Sequence, residues 1–292
     1  TWRDEMSHAT EISHAIAPSP GLRAALSFLV PHGARPRTYT YDPPAGEPRS
    51  NAQYAPHLIE IADARGQAGA LDLDRQGFAF VRHASAVQDF WDEDEIRRVY
   101  YPESAALLAR VTGASRVHVF DHTLRWRVEG ADDRASGQPR QPASRVHVDQ
   151  TAKSGAERLR FELPDEADAL LRGRAQIINV WRPIVGPLWD SPLALCDARS
   201  VDPEDLVASD LIFPDRVGET YAVTYNPAQR WSYFPGMTTD EVLLIKCWDT
   251  AEDGRARFAP HSAFVDPTAP GDAPPRQSIE LRAFVFHDAP AG

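Results

Sequence analysis

From residue 147 to residue 286 the hydrophobic side chains fall into about eight short runs, a spacing that constrains the fold more than any other feature of the chain. The first surrounds His147. Residues 176–181 (QIINVW), 193–198, 219–225, 231–234, 242–248 (VLLIKCW), 257–265 and 276–286 follow, each separated from the next by polar, glycine or proline residues. In 219–225 the side chains of Tyr221, Val223 and Tyr225 share one face, the alternation of a half-buried strand. VLLIKCW is apolar almost throughout, which predicts a strand covered on both faces. One stretch breaks the series: Leu163-Pro164-Asp165-Glu166 opens a short helix that Gly173 closes. Short strands at this spacing read as a mainly β chain with flanking helices, a jelly-roll or double-stranded β-helix barrel. Such a barrel gathers strands distant in sequence at one open end.

The first of these strands carries chemistry. In Ser144-Arg145-Val146-His147-Val148-Asp149 residues two apart share a face, so Val146 and Val148 turn one way and His147 and Asp149 the other. An imidazole and a carboxylate aimed at one point are two thirds of the 2-His-1-carboxylate set that holds a non-haem ferrous ion. His-x-Asp by itself arises often by chance, and a strand histidine is usually structural. The third ligand is expected to be His261, which opens the strand before the last. The final strand then returns from the far end, carrying Arg276 and Ser278 on one face. An arginine there grips a carboxylate through two N–H groups, and a serine hydroxyl adds a further bond. A dicarboxylate such as 2-oxoglutarate spans the distance from ion to arginine. Arg282 lies on the same face with Glu280 between them. It reads either as half of a structural ion pair or as a second grip on a carboxylate.

The N-terminal half is less regular. Pro18, Pro20, Pro31, Pro36, Pro43 and Pro44 point to an irregular arm over residues 1–50, with one short helix near 22–29. Strands are expected at 58–62 and 77–82. The acidic run after Trp91, followed by Arg97 and Arg98, predicts a helix that Pro102 breaks, and a second helix over 105–111 stops at Gly113. Residues 116–127 (RVHVFDHTLRWR) alternate as a strand, in which His118 and His122 lie about 13 Å apart and share no ion. Residues 130–142 read as a loop, 153–160 as a basic, polar connection and 199–218 as an acidic loop. The whole of 1–292 is thus expected to be one domain: 1–70 an arm packed on it, 71–143 outer helices and a sheet extension, 144–286 the barrel core.

A formal charge of −11 argues against nucleic acid as a partner, since phosphate binding needs a basic face. No apolar run approaches the roughly 18–20 residues of a membrane span, and no signal peptide is read at the start. Cys196 and Cys247 sit in apolar stretches and are expected as buried free thiols, in keeping with a cytoplasmic setting.

Longer blocks carry a resemblance. VFDHTLR (119–125), RVHVDQTAKSGAERLR (145–160), INVWRPI (178–184), DSPLALCDARSVDPEDL (190–206), ETYAVTYNPAQRWSYFPGMTTDEVLLIKCWDT (219–250), PHSAF (260–264) and PPRQSIELRAFVF (274–286) resemble the CmcJ/NvfI family of non-haem iron, 2-oxoglutarate-dependent oxygenases. That family includes the cephamycin 7α-hydroxylase component, the AsaB-type hydroxylase/desaturases and gibberellin desaturase-like proteins. The likeness covers residues 71–286 and implies a double-stranded β-helix with His147, Asp149 and His261 on Fe(II). It implies Arg276 and Ser278 on 2-oxoglutarate, and an O2-dependent hydroxylation or desaturation of a small molecule in secondary metabolism.

Tyr225, Asn226, Arg230 and Trp231, with Arg158 and Trp248, are the candidates for lining the substrate site, although aromatic residues in such runs are more often core than pocket. The two arginines point to an acidic or carboxylated substrate. Two other readings stand beside this one. A cupin-like metalloenzyme would keep the ion without 2-oxoglutarate, and a metal-free barrel would act as the binding component of a companion enzyme. A homo-oligomer is compatible with all three.

Overall fold

A strand covered on both faces needs a layer on each side, and VLLIKCW has both. The computed structural model describes residues 19–131 and 140–288. The chain begins with β1 (Ser19–Val30), β2 (Arg37–Tyr39), β3 (Gln53–Asp63), β4 (Phe78–Arg82) and β5 (Arg116–Trp126). It continues through β6 (His147–Val148), β7 (Arg174–Pro183), β8 (Leu193–Cys196), β9 (Leu206–Ile212) and β10 (Val217–Val223). The last four are β11 (Trp231–Tyr233), β12 (Glu241–Asp249), β13 (His261–Ala263) and β14 (Gln277–His287). They form a nine-stranded sheet, β1-β3-β11-β8-β13-β6-β10-β9-β2, and a five-stranded sheet, β4-β12-β7-β14-β5. The two curl over one another as a jelly-roll.

The core follows the alternation of β12. Leu243, Ile245 and Cys247 point between the sheets, where they meet Ile177, Trp181, Phe284 and, from the other sheet, Val148 and Leu195. Val242 and Leu244 point outward with Val180, Leu281 and Val285, against Ile96, Tyr100, Leu107 and Leu108 of the outer helices. Those helices are α1 (Glu93–Glu95) and α2 (Tyr101–Thr112), joined by a π-turn at Ile96–Tyr100 into one helical run. Asp92 caps its start and Gly113, at φ 69°, ends it. Pro102 does not break the run as expected. It falls in the first turn of α2, immediately after the π-turn, where a missing N–H is tolerated. His122 ties β5 to these helices through the Tyr101 hydroxyl at 2.9 Å and Glu93 at 3.1 Å.

Further sequence expectations need correction. Residues 22–29 are strand, not helix: Leu22, Ala24, Leu26 and Phe28 alternate inward onto the outer face of the nine-stranded sheet, and β1 pairs with β3. Pro31, Pro36, Pro43 and Pro44 lie in the connections around β2, so the arm belongs to the sheet; Pro18 and the rest of residues 1–18 lie outside the described residues. The acidic loop 199–218 contains β9, because Asp202, Glu204 and Asp205 gather at a turn before a run that pairs with β10. The polar connection 153–160 is the body of a helix, α3 (Ala152–Glu162), whose Thr151 Oγ1 accepts from the Ser154 N–H while Ser154 Oγ accepts from the Thr151 N–H. The expected helix over 163–173 shrinks to α4 (Ala167–Leu170). Of the loop 130–142, residues 132–139 lie outside the described residues.

α3 seats on β12 through its one glycine. A Cβ on Gly155 would overlap the indole ring of Trp248, whose Nε1 donates to the Ala152 carbonyl at 3.2 Å. Gly155→Ala is therefore expected to destabilise the fold by about 1–3 kcal/mol, the usual penalty of overpacking, read as a lowered urea midpoint. Both cysteines are buried and free, and burial pushes the Cys196 thiol up to about 12. No described helix is long and apolar enough to cross a membrane.

Candidate metal centre

β6 runs between β13 and β10, and this order makes His147 and His261 direct cross-strand partners. Directly opposed residues in an antiparallel pair hold their Cβ atoms about 4.5–5.5 Å apart. The two imidazoles accordingly lie 4.5 Å apart between ring centres. Asp149 joins them, and one ligand atom from each of the three falls within 4.8 Å of the others. The alternation assumed for this segment holds only in part. Val146 and Val148 are both buried, but Val146 packs under the β1–β3 hairpin and Val148 between the sheets, because only two residues of β6 are regular strand.

The hydrogen bonds orient each ligand. His147 Nδ1 donates to the Arg145 carbonyl at 2.7 Å and His261 Nδ1 to the Ala259 carbonyl at 3.0 Å. A carbonyl only accepts, so each Nδ1 carries a proton and Nε2 is the nitrogen turned towards the site. His261 is 1 % exposed and its Nε2 has no hydrogen-bond partner. A buried lone pair left unmatched is unfavourable, and a metal ion satisfies it. Asp149 Oδ2 accepts from Asn179 at 2.9 Å and from Arg282 Nε at 3.0 Å, while Oδ1 lies 3.4 Å from His147 Nε2. Burial works to raise the Asp149 carboxyl, but Arg282 and His147 hold it well below the ordinary carboxylate range. Burial, with His147 beside it, lowers His261. A carboxylate and neutral imidazoles are the forms a metal takes. Two nitrogens and one oxygen on one side of a site fit ferrous iron.

The pin on Oδ2 is testable. Asn179→Leu removes one of its two donors at nearly constant volume, and outer partners of metal ligands are worth about 10–100-fold in affinity. Anaerobic Fe(II) titration is expected to show a loss of about tenfold, with the thermal melting curve still cooperative.

A cavity of about 820 Å³ opens onto His147 and Asp149. Its walls come from β5, α3 and the β9–β10 turn. Arg158 lies in this wall, as expected, bound to Asp121 at 3.1 Å and Glu162 at 2.9 Å. The other substrate candidates lie elsewhere. Tyr225, Asn226, Arg230 and Trp231 line a separate depression of about 740 Å³ that shares no residue with the first. Val217–Thr220 line the cavity, whereas Tyr225, past the end of β10, packs against Phe28 and stacks on His57 of the β1–β3 hairpin. Trp248 is a core residue under α3.

Arg276, Ser278, Glu280 and Arg282 alternate along the inner face of β14. Arg282 is fully engaged: it donates to Asp149, to Asp121 and Thr123 at 3.1 Å each, and to Glu280. Arg276 is not. It is 2 % exposed, with Nε donating to Ser278 Oγ at 3.0 Å, Nη1 to the Ser191 carbonyl at 2.8 Å, and its guanidinium 5.0 Å from the Trp181 ring centre. Among the described residues no carboxylate pairs with its side chain, and burial, with Arg125 nearby, pulls it down to about 9. Asn179 and Asp121 escaped the sequence reading. The signal for Asn179 was an amide in the middle of QIINVW, a run otherwise fit for a doubly covered strand.

The chain matches known proteins over most of its length. The family model described as Oxidoreductase/YMDC permease-like domain matches residues 26–286. Hydroxylase/desaturase CTB9 of Cercospora beticola is 39% identical over 254 residues, 80% of this chain and 78% of the relative. The Fe(II)/2-oxoglutarate-dependent dioxygenase nvfI of Aspergillus novofumigatus is 33% identical over 85% of this chain and 90% of its own. A solved structure of the iron and alpha-ketoglutarate-dependent endoperoxidase NvfI covers 92% of this chain and 99% of that one, with a TM-score of 0.84 at 30% identity. With this fold and a His-Asp-His cluster between its sheets, the chain belongs to the CmcJ/NvfI family of non-haem Fe(II)- and 2-oxoglutarate-dependent oxygenases.

Proposed function

We propose that His147, Asp149 and His261 hold the ferrous ion, that Arg276 and Ser278 anchor the far carboxylate of 2-oxoglutarate, and that the enzyme hydroxylates or desaturates a small molecule bound in the 820 Å³ cavity. The observation that carries this is the unpartnered, buried Nε2 of His261 beside a carboxylate held ionised. When bound, iron and 2-oxoglutarate would together activate O2, the oxidant that takes hydrogen from the substrate.

The chain's own side chains prepare for that. The two Nδ1–carbonyl bonds fix both rings with their lone pairs free. Arg282 and Asn179 keep Oδ2 occupied, so Oδ1 is the ligand atom. Arg276, a buried cation with no carboxylate bonded to its guanidinium among the described residues, favours a carboxylate guest, and Ser278 sets the plane of its guanidinium. Phe120 and Arg158, stacked 4.8 Å apart, form part of the cavity wall. The relatives named hydroxylase/desaturase support the reaction type. Two free, buried thiols support a reducing, cytoplasmic setting.

Adding Fe(II) and then 2-oxoglutarate without oxygen tests this reading. A weak visible charge-transfer band that requires both is expected. Tight iron binding with no band would indicate an enzyme that does not use 2-oxoglutarate, and no stoichiometric iron would indicate a metal-free binding protein.

A further inference from the structure

The cavity rim holds a cation that is left unpaired among the described residues. β9 and β10 are joined by a tight turn in which the Phe213 N–H donates to the Arg216 carbonyl at 2.8 Å. The turn sets the Arg216 guanidinium carbon 4.0 Å from the centre of the Phe213 ring and 5.6 Å from that of Phe161 on α3. All three residues line the cavity that contains His147 and Asp149. The Arg216 guanidinium makes no hydrogen bond and no ion pair with any described residue.

The neighbouring arginines differ. Arg158 is matched by Asp121 and Glu162, Arg282 by Asp149, Asp121 and Glu280, and Arg125 donates to the Gln141 carbonyl at 2.7 Å. Arg230, outside this cavity, is matched by Asp197 at 3.1 Å. The sequence drew its acidic substrate from Arg158 and Arg230, and both are already paired. Arg216 carries that chemistry instead.

Its surroundings describe the rest of the ligand. Phe161 is 66% exposed and Val217 62%, and both lie on the rim. Exposed apolar side chains gathered at the mouth of a cavity mark a surface that a ligand covers. A guanidinium held against aromatic faces is already restrained, so it loses less freedom on gripping a carboxylate. Taking the cavity as the substrate site of the iron- and 2-oxoglutarate-dependent reaction, we infer that the substrate is a largely apolar small molecule with a carboxylate. Arg216 binds that carboxylate, and Phe161, Phe213 and Val217 cover the apolar body.

Two probes test this on the full chain loaded with Fe(II) and 2-oxoglutarate under anaerobic conditions: 2-naphthoate and its methyl ester, with affinities measured by equilibrium dialysis. The wild type is expected to bind the acid about tenfold more tightly than the ester, a typical effect of one charge-assisted pair. Arg216→Gln is expected to remove that preference and leave the ester's affinity unchanged, and Arg216→Lys to restore part of it. The charge-transfer band is recorded in every sample. Its presence in Arg216→Gln shows that fold and metal site are intact. Equal binding of acid and ester by the wild type, no binding of either, or acid binding unchanged in Arg216→Gln overturns the inference. Loss of the band on adding the acid overturns it too, because the probe has then entered the co-substrate site. A wild type that never shows the band overturns the iron and 2-oxoglutarate reading instead, and the acid–ester comparison still decides the role of Arg216.

Discussion

Exchanging Arg276 for methionine is expected to raise the KM for 2-oxoglutarate by about 30-fold or more, and to make the protein without co-substrate more stable. Both effects follow from one feature, a guanidinium 2 % exposed with no carboxylate partner among the described residues. Losing one side of a buried charge pair costs about 2–5 kcal/mol, and 1.4 kcal/mol is a factor of ten. Without the co-substrate, the same cation is desolvated with only a hydroxyl, a carbonyl and the Trp181 ring for company. An apolar side chain of similar volume removes that penalty, as replacement of buried charges by hydrophobic residues often does, by about 1–4 kcal/mol. Thermal melts with Fe(II), with and without 2-oxoglutarate, separate the two. The wild type gains stability on adding 2-oxoglutarate according to its saturation, whereas Arg276→Met starts higher and gains little. A variant that starts lower and gains as much as the wild type would make Arg276 a structural residue.

Asp149→Ala carries the second large effect. The carboxylate is the proposed oxygen ligand, and it is also the acceptor that holds Asn179 and Arg282 in place. Outer partners alone are worth about 10–100-fold in metal affinity, so removing the ligand itself should exceed the upper end of that range. Fe(II) affinity is expected to fall by more than about 100-fold, and O2-dependent succinate release to background. His261→Ala should lose iron as well, but with a different stability signature. Asp149→Ala leaves Arg282 short of a counter-charge, whereas His261→Ala removes a buried nitrogen that had no partner. Denaturant midpoints of the two iron-free variants are expected to diverge, with Asp149→Ala the lower. Equal iron retention in either variant would show that the ion is held elsewhere.

Much of this site could be read from the chain because its parts obey local rules. His147 and Asp149 are two apart at the end of a short strand, and Arg276 and Ser278 are two apart at the start of another, so their closeness needs no long-range information. VLLIKCW announced its two covered faces by composition alone. The pairing of His147 with His261 is different. It depends on β13 and β10 flanking β6, a register set by contacts between distant segments that neither segment contains. The errors share a cause as well. β1 lay among prolines that fall in the connections, β9 followed a cluster of acids, and α3 was obscured by polar residues although Thr151 and Ser154 form its cap. Misreading 199–218 as a loop also hid Phe213 and Arg216, since the cavity wall is the turn between the missed strand and β10. Tyr225 and Trp231 follow an alternating strand, but the chain leaves the metal centre after Ala222 and both residues pack on Phe28 beside a separate depression.

The central claim is that residues from opposite ends of the barrel converge on one ferrous ion and one dicarboxylate. Anomalous diffraction at the iron edge, from crystals grown without oxygen in Fe(II) and 2-oxoglutarate, tests it most directly. A single iron peak bonded to His147 Nε2, Asp149 Oδ1 and His261 Nε2 is expected, with 2-oxoglutarate reaching from the ion to Arg276. Iron bound away from His261, or 2-oxoglutarate bound with Arg276 unoccupied, would contradict the account.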